Sequence, residues 1–271
     1  MRALLAVLDH LDTAPSVLAA ALLVARRLGV PLIEVLHVCA ASDPSFMPTE
    51  EVMTPQRQAH FLAHEAARSA ALHTLFAAWQ PKAAPTRAVW REEVGEKAEH
   101  VARGARTTDL IVIGRAHHEP GDGRTAIEAA LFAAAAPILL VPPTAPATLG
   151  THIAVAWQPS GPAERAVVAA TPLLRAAERV TVLIGTDNDI DRKPAEALIQ
   201  SLAGLPWLPQ TRCFAPGGEP IGPALLREAR KLGADLLVMG AYAHRRSVEV
   251  LLGGATRGVL AAADMPVFLH H

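Results

Sequence analysis

The 271-residue chain has little to cross-link or to stack with: two cysteines, a single tyrosine, and aromatic residues amounting to 4%. Cys39 and Cys213 lie far apart and form no CxxC pair. That excludes a disulfide framework and a cysteine-ligated zinc module, and it suits a reducing cytosol. Charge of one sign is also missing, because 25 Lys and Arg face 26 Asp and Glu for a net charge of −1. Without a basic footprint, no nucleic-acid partner is expected. No apolar run approaches the roughly 18 residues of a membrane span, so no membrane partner is expected either. The N-terminal apolar stretch meets Asp9 after six residues, too few for a secretory leader. The G-x-S-x-G elbow, the Walker A loop and H-E-x-x-H are absent, which removes the motifs of nucleophilic, kinase-type and zinc-hydrolase chemistry. What remains is 51% hydrophobic, mostly Ala, Val and Leu: a soluble, cytoplasmic, globular chain with an aliphatic core.

The chain repeats itself. Asp109-Leu110-Ile111-Val112-Ile113-Gly114 matches Asp235-Leu236-Leu237-Val238-Met239-Gly240 at an offset of 126, and Ala136-Pro137-Ile138-Leu139-Leu140-Val141 matches Met265-Pro266-Val267-Phe268-Leu269-His270 at an offset of 129. At the front, Leu4-Leu5-Ala6-Val7-Leu8-Asp9 pairs with Ile153-Ala154-Val155-Ala156-Trp157-Gln158 at an offset of 149, so the second half is 23 residues shorter in its middle. The stretch 141–150 is rich in Pro, Ala and Thr and reads as an extended connector. It sets two domains, 1–143 and 151–271.

Within the first half the pattern reads strand 3–8, helix 16–28 closed by Gly29, strand 32–38, a long helix 55–79, strand 86–92, helix 96–105 and a strand ending at Gly114. The second half repeats this with less material. Its third helix places Ile221, Leu225, Ala229 and Leu232 on an apolar face, with Arg227, Glu228, Arg230 and Lys231 elsewhere, and closes on Gly233. Pro172 falls inside the half's first helix and is expected to kink it. Buried apolar strands alternating with helices indicate parallel sheets, because parallel neighbours need crossovers. The expected fold class is therefore α/β: two tandem, doubly wound, Rossmann-like domains, each with a five-stranded parallel sheet.

Ligands of such sheets bind beyond the carboxyl ends of the strands, at the switch in strand order. Asp9, Val38 and Gly114 end strands in the first half, and Gln158, Gly185 and Gly240 in the second. After Met239 and Gly240 come Ala241-Tyr242-Ala243-His244-Arg245-Arg246, and a Gly253-Gly254 pair opens the last helix. Small residues and free N–H groups at a helix N-terminus admit an anion. In the alternative reading, which spacing alone favours, Gly240 only ends a strand and Gly253-Gly254 only allow tight helix–sheet packing.

This strand–loop–helix resembles the G-x2-G-x9-G-(S/T) signature of the universal stress proteins, falling here on Gly240, Ala243, Gly253 and Gly254, with Pro266 opening the final strand. Element order, domain length and duplication resemble the two-domain members of that family across nearly the whole chain. The resemblance implies a five-stranded parallel sheet per domain, with the two final strands meeting at a pseudo-twofold contact. It further implies an adenine-nucleotide site in some members, with magnesium only where ATP binds. The departures weigh against tight binding. Asp9 keeps the family's acidic residue at the end of the first strand, but Gln158 replaces it in the second half. If the motif's second Gly is needed at positive φ, Ala243 in its place costs about 1–2 kcal/mol. Gly254 in place of a hydroxyl loses about 1.5–3 kcal/mol of bonding to a charged phosphate. Together, about 3–5 kcal/mol weakens binding roughly a hundred- to several-thousand-fold. In the first half Thr125 retains the hydroxyl, yet only nine residues separate Gly114 from Arg124, against twelve between Gly240 and Gly253. A cradle of nested amides tolerates such a deletion poorly.

The expected function is thus a universal stress protein-like cytosolic regulator with weak or lost ATP binding, acting on an unidentified protein partner, with an intramolecular pseudo-dimer of its halves and room for a homodimer. The alternatives are an ATP-binding switch or slow ATP hydrolase using the second cleft, and a rebuilt cleft for a nucleoside monophosphate or lipid. No catalytic constellation is found. His117, His118, Glu119 and Asp122 read as a solvated loop rather than a metal site. The apolar residues of 44–79 read as core packing of a long helix, with a pocket or partner surface as the alternative.

Overall fold

The computed structural model describes residues 1–43, 54–81, 85–115, 136–186, 208–241 and 254–271, together with 196, 198–200, 202, 204 and 206. In the first half β1 (Ala3–Val7) leads to α1 (Ala14–Leu28), β2 (Leu32–Cys39), α2 (Pro55–Trp79), β3 (Arg87–Val94), α3 (Lys97–Ala105), β4 (Leu110–Gly114) and β5 (Ile138–Val141). The second half contributes β6 (His152–Ala156), α4 (Gly161–Ala176), β7 (Arg179–Gly185), β8 (Gln210–Phe214), α5 (Ile221–Lys231), β9 (Leu236–Gly240), α6 (Gly254–Ala262) and β10 (Val267–His270). Helix α1 has Pro15 in its first turn and stops at Gly29, whose φ of 65° lies in the left-handed region that glycine adopts without strain. Helix α4 is continuous through Pro172. Residues 40–86 link β2 to β3 and residues 186–209 link β7 to β8, which places the 23-residue difference in the α2 crossover.

The strand order is β3-β2-β1-β4-β5-β10-β9-β6-β7-β8. Each half is a five-stranded parallel array, as its apolar runs imply. The two final strands meet as expected, and their contact goes further than one five-stranded sheet per domain: β5 and β10 pair antiparallel, Leu140 with Val267, Leu139 with Phe268 and Ile138 with Leu269, so the halves share one mixed ten-stranded sheet. All six of these residues are completely buried. Left apart, each half would expose an apolar edge whose backbone groups would be unpaired. The continuity extends to the layers. One apolar cluster, under α1, α2 and α4, runs through both halves, and a second, under α3, α5 and α6, does the same on the opposite face.

The connector is pinned at its end, where Leu149 is buried. Beside it Arg27, in the last turn of α1, donates to the Ala176 carbonyl at the end of α4 (2.8 Å) and to the Thr151 hydroxyl (2.9 Å). A guanidinium there satisfies a helix-end carbonyl and meets the negative end of the helix dipole.

Two features of α5 depart from its expected amphipathic pattern. Glu228 is buried rather than on the polar side, with Lys231 at 2.9 Å, Arg227 at 3.4 Å and Arg212 at 3.9 Å. Its hydrogen bond from Lys231, opposed by burial, holds its pKa below the usual carboxylate value. Gly222 lies directly under α6: a β-carbon there would sit 2.6 Å from the Ala255 carbonyl oxygen and 2.8 Å from the Val259 nitrogen.

The repeated aspartates perform the same task in both halves. The Asp109 carboxylate accepts from the backbone N–H groups of Arg2 and Ala3, and Asp235 accepts from those of Thr151 and His152, both at 3.1 Å. Each ties the start of its half's first strand to the strand beside it. Burial works to raise the Asp109 pKa, but the two N–H groups prevail and hold it below the ordinary value. A carboxyl depressed in the folded state stabilises above its unfolded pKa, and that contribution is lost as pH falls through the folded one. Asp109→Ala and Asp235→Ala are each expected to lose about 1.5–3 kcal/mol. Three sheet steps, about 14 Å, separate the strands, so the losses should add. Urea unfolding of the single and double variants checks this, with Asp109→Ala also flattening the acid limb of stability against pH.

Candidate functional site

In the first half the switch point lies between β1 and β4, the strands joined by crossovers on opposite faces. Beyond β1 the chain continues through buried Leu8, whose N–H donates to the Leu36 carbonyl (2.9 Å) and whose own carbonyl accepts from His37 Nδ1 (2.9 Å). His37 is completely buried on β2, and burial lowers its pKa, so the ring is neutral. With the proton on Nδ1, Nε2 is a bare acceptor, and it has no partner among the described residues.

Asp9 follows, and its carboxylate is already held from both faces of the sheet. Lys97 Nζ, from the first residue of α3, lies 2.6 Å from Oδ2, and His10 Nε2 lies 3.3 Å from the same oxygen. Arg68 Nη1, from α2, lies 3.3 Å from Oδ1 and also donates to the Asp9 carbonyl at 3.1 Å. Burial works to raise the Asp9 pKa, yet His10 and Lys97 outweigh it and hold the group well below the carboxylate range. The reciprocal effect raises the pKa of His10. Arg68 is itself fixed by Glu65, with Nη2 2.6 Å from Oε2, and the same Glu65 oxygen accepts from the Ala40 N–H at 3.0 Å. Behind this row Ser69 donates to Glu92 at 2.6 Å.

Gly114, at the end of β4, does not present a bare face. A β-carbon there would lie 2.5 Å from Cβ of Thr13, the buried residue preceding α1. Thr125, the hydroxyl expected to face it, lies outside the described residues.

The second half is built differently. Gln158 stands exposed after buried Trp157, and the Ser160 hydroxyl, which caps α4 through the Ala163 N–H (3.4 Å), donates to the Gln158 carbonyl (3.2 Å). Met239 is buried in β9. Gly240 is covered by the first turn of α4: a β-carbon would lie 2.5 Å from the Ala163 nitrogen and 2.6 Å from the Pro162 carbonyl carbon. Packing of α4 on the sheet thus requires a glycine at this position. The end of the chain closes over the same edge, since His271 Nδ1 lies 3.0 Å from the Ala241 carbonyl and Arg165 donates to the His271 carbonyl at 2.8 Å. Gly254 begins α6 in an exposed position, where an added β-carbon meets nothing within 4 Å. Ala243, His244 and Gly253 lie outside the described residues, as do the histidines of 117–118.

The structure thus assembles Asp9 with Lys97, Arg68 and His10, three residues that sequence spacing did not single out. His10 adjoins Asp9, and His37 is a polar residue in an otherwise apolar strand, a signal that was there to be read. Arg68 and Lys97 come from helices on opposite faces and carry no local signal. Among the described residues, no three His, Cys, Asp or Glu side chains cluster as a metal site. No described helix is long and apolar enough to cross a membrane.

No family profile matches the chain. No curated protein matches it in sequence. Solved structures do match it along its whole length. A universal stress protein from Archaeoglobus fulgidus superimposes with a TM-score of 0.74 at 16% identity, over 99% of this chain and 95% of that one. A protein of unknown function from Pseudomonas aeruginosa gives a TM-score of 0.59 at 17% identity, over 100% and 92%. A second Pseudomonas aeruginosa structure, described as a universal stress protein, gives 0.57 at 18% identity, over 100% and 93%. Over its full length, the chain has the fold of a tandem, two-domain universal stress protein.

Proposed function

We propose that this chain is a non-catalytic regulator of the universal stress type, with weak or lost adenine-nucleotide binding, acting in the cytosol through its surfaces on a protein partner. The observation that carries this reading is the pairing of Asp9 with Lys97, Arg68 and His10. A ligand seeking that carboxylate must displace the charged donors Lys97 and Arg68, already within ion-pairing distance, and it would recover little that they do not already supply. Packing against Thr13 and against the first turn of α4 accounts for glycine at Gly114 and Gly240 without a bound phosphate. Hydrolysis would require a metal ligand or general base beside the phosphates. In the first half Asp9 is engaged, and in the second Gln158 stands where a carboxylate would be needed.

Thermal unfolding in about 5 mM ATP, with and without magnesium, tests this. A micromolar site would add about 4–5 kcal/mol of stability through ligation. For a chain of this size that corresponds to a rise in Tm of roughly 10 °C. The expected rise is no more than about 4 °C, the value for a site no tighter than millimolar. A rise near 10 °C would favour the ATP-binding switch.

A further inference from the structure

His37 stands on the face of β2 that turns toward α2, since Ile33 and Val35, in the same alternation, belong to the apolar cluster under α1 and α2. It has no exposed surface. One ring nitrogen is accounted for: Nδ1 lies 2.9 Å from the Leu8 carbonyl, which can only accept, so Nδ1 carries the proton. The other is not, because Nε2 is buried and no protein group bonds it. The ring centre lies 5.9 Å from that of Trp90 on β3, and Trp90 in turn meets Phe76 and His73 of α2 at 5.5 and 5.2 Å. A proton arriving at Nε2 would find no acceptor. Asp9, at the end of β1, is held by Lys97, His10 and Arg68. Glu92, opposite His37 in the β2–β3 register, takes the Ser69 hydroxyl at 2.6 Å, and Glu65 of α2 takes Arg68 and the Ala40 N–H. Arg68 repels an imidazolium while Asp9 and Glu92 attract it, and burial prevails, so the ring is neutral.

The cover over this ring is weakly seated. Only three of the 25 residues of α2 are buried, Ser69, Leu72 and Phe76, against eight of 15 in α1 of the same layer. Segments with few apolar contacts open locally at a fraction of the global free energy. We infer that His37 is an acid-sensitive latch under α2: the neutral ring lets the helix seat, and a proton on Nε2 lifts it from the sheet and uncovers Leu72, Phe76 and Trp90. The latch works whether or not the chain binds nucleotide. Below the ordinary imidazole value the opened form takes up a proton that the closed form refuses. Falling pH therefore favours opening until the closed form is protonated as well, with a ceiling of about tenfold per pH unit for one proton. His10 does not compete for this role, because its partner is the Asp9 carboxylate in both forms.

Hydrogen exchange between pH 7 and pH 5, corrected for the intrinsic amide rate, tests the latch on the full-length natural chain and on His37→Asn. The lower limit stays above the ordinary carboxylate range, which keeps Asp9, Glu65 and Glu92 out of the comparison. Asparagine keeps a donor at the Nδ1 position and cannot take a proton. In the natural chain, protection of the α2 amides should fall about five- to twentyfold over this range while the α4 amides keep theirs. In His37→Asn the α2 amides should change by less than about twofold, although His60, His64 and His73 remain on the helix itself. Equal falls in the two proteins, no fall in α2, or a fall shared by α4 would overturn the latch. If His37→Asn does not fold, an NMR titration of the His37 ring in the natural chain decides. The ring should take its second proton at a lower pH than histidine in a short peptide, and a ring that titrates as the peptide does would overturn the latch.

Discussion

Phe268→Ala is expected to lower stability by about 3–5 kcal/mol, the usual loss for a large side chain deleted from a core. Phe268 is completely buried, on β10, and stands opposite Leu139 across the antiparallel seam. It belongs to the apolar cluster that runs under α1, α2 and α4, so the cavity would open where the halves join rather than inside one of them. At about 2–4 °C per kcal/mol for a chain of this size, Tm should fall by roughly 6–20 °C. The shape of the transition carries more information than its midpoint. If the seam binds the halves into one cooperative unit, the variant unfolds in a single transition at lower temperature. Two resolved transitions in scanning calorimetry, with one unshifted, would mean that the halves fold independently and the ten-stranded sheet is a docking of two finished domains.

Gly240→Val should be at least as damaging. The position where its β-carbon would sit is 2.5 Å from a backbone nitrogen and 2.6 Å from a backbone carbon of α4, atoms that cannot rotate aside as a side chain would. The helix must shift, and overpacking of this kind costs about 1–3 kcal/mol or more even where the neighbours are side chains. Loss of soluble protein, or a fall in Tm of at least about 6 °C, is expected. A variant as stable as the natural chain would show that α4 does not pack on this glycine. The result bears on how the second cleft is probed, because any side chain at Gly240 confounds lost binding with lost packing. Gly254 avoids that difficulty. A β-carbon there meets nothing within 4 Å, and a carboxylate at the start of α6 is compatible with the helix dipole while repelling a phosphate.

Much of the architecture was legible because it is written in local patterns. The Asp109 and Asp235 segments announced the repeat, and their apolar runs fixed the central strands. Gly29 and Gly233 stopped α1 and α5, and the 149 and 126 offsets located the long crossover at α2. The antiparallel seam was implied by resemblance, but its consequence, one sheet in place of two, depends on β5 and β10 meeting in space. Residues whose role is set by distant partners escaped the reading. Glu228 looked like part of a polar helix face, and the cations around its buried carboxylate include Arg212 from β8 as well as two from its own helix. Spacing left Gly240 open between a ligand and a structural role, and only the approach of Pro162 and Ala163 reveals what packs on it. Asp9 was recognised as the acidic residue at the end of β1, but its availability depended on Arg68 and Lys97, which lie 59 and 88 residues along the chain. Such contacts leave no periodicity behind.

The central claim is that these strand ends are filled by the protein itself and bind adenine nucleotide weakly or not at all. Titration calorimetry with ATP, with and without magnesium, on the natural chain and on Gly254→Glu tests it most directly. The account predicts no binding tighter than millimolar in either protein. Micromolar binding by the natural chain, abolished in Gly254→Glu, would contradict it and establish the second half as a working nucleotide site.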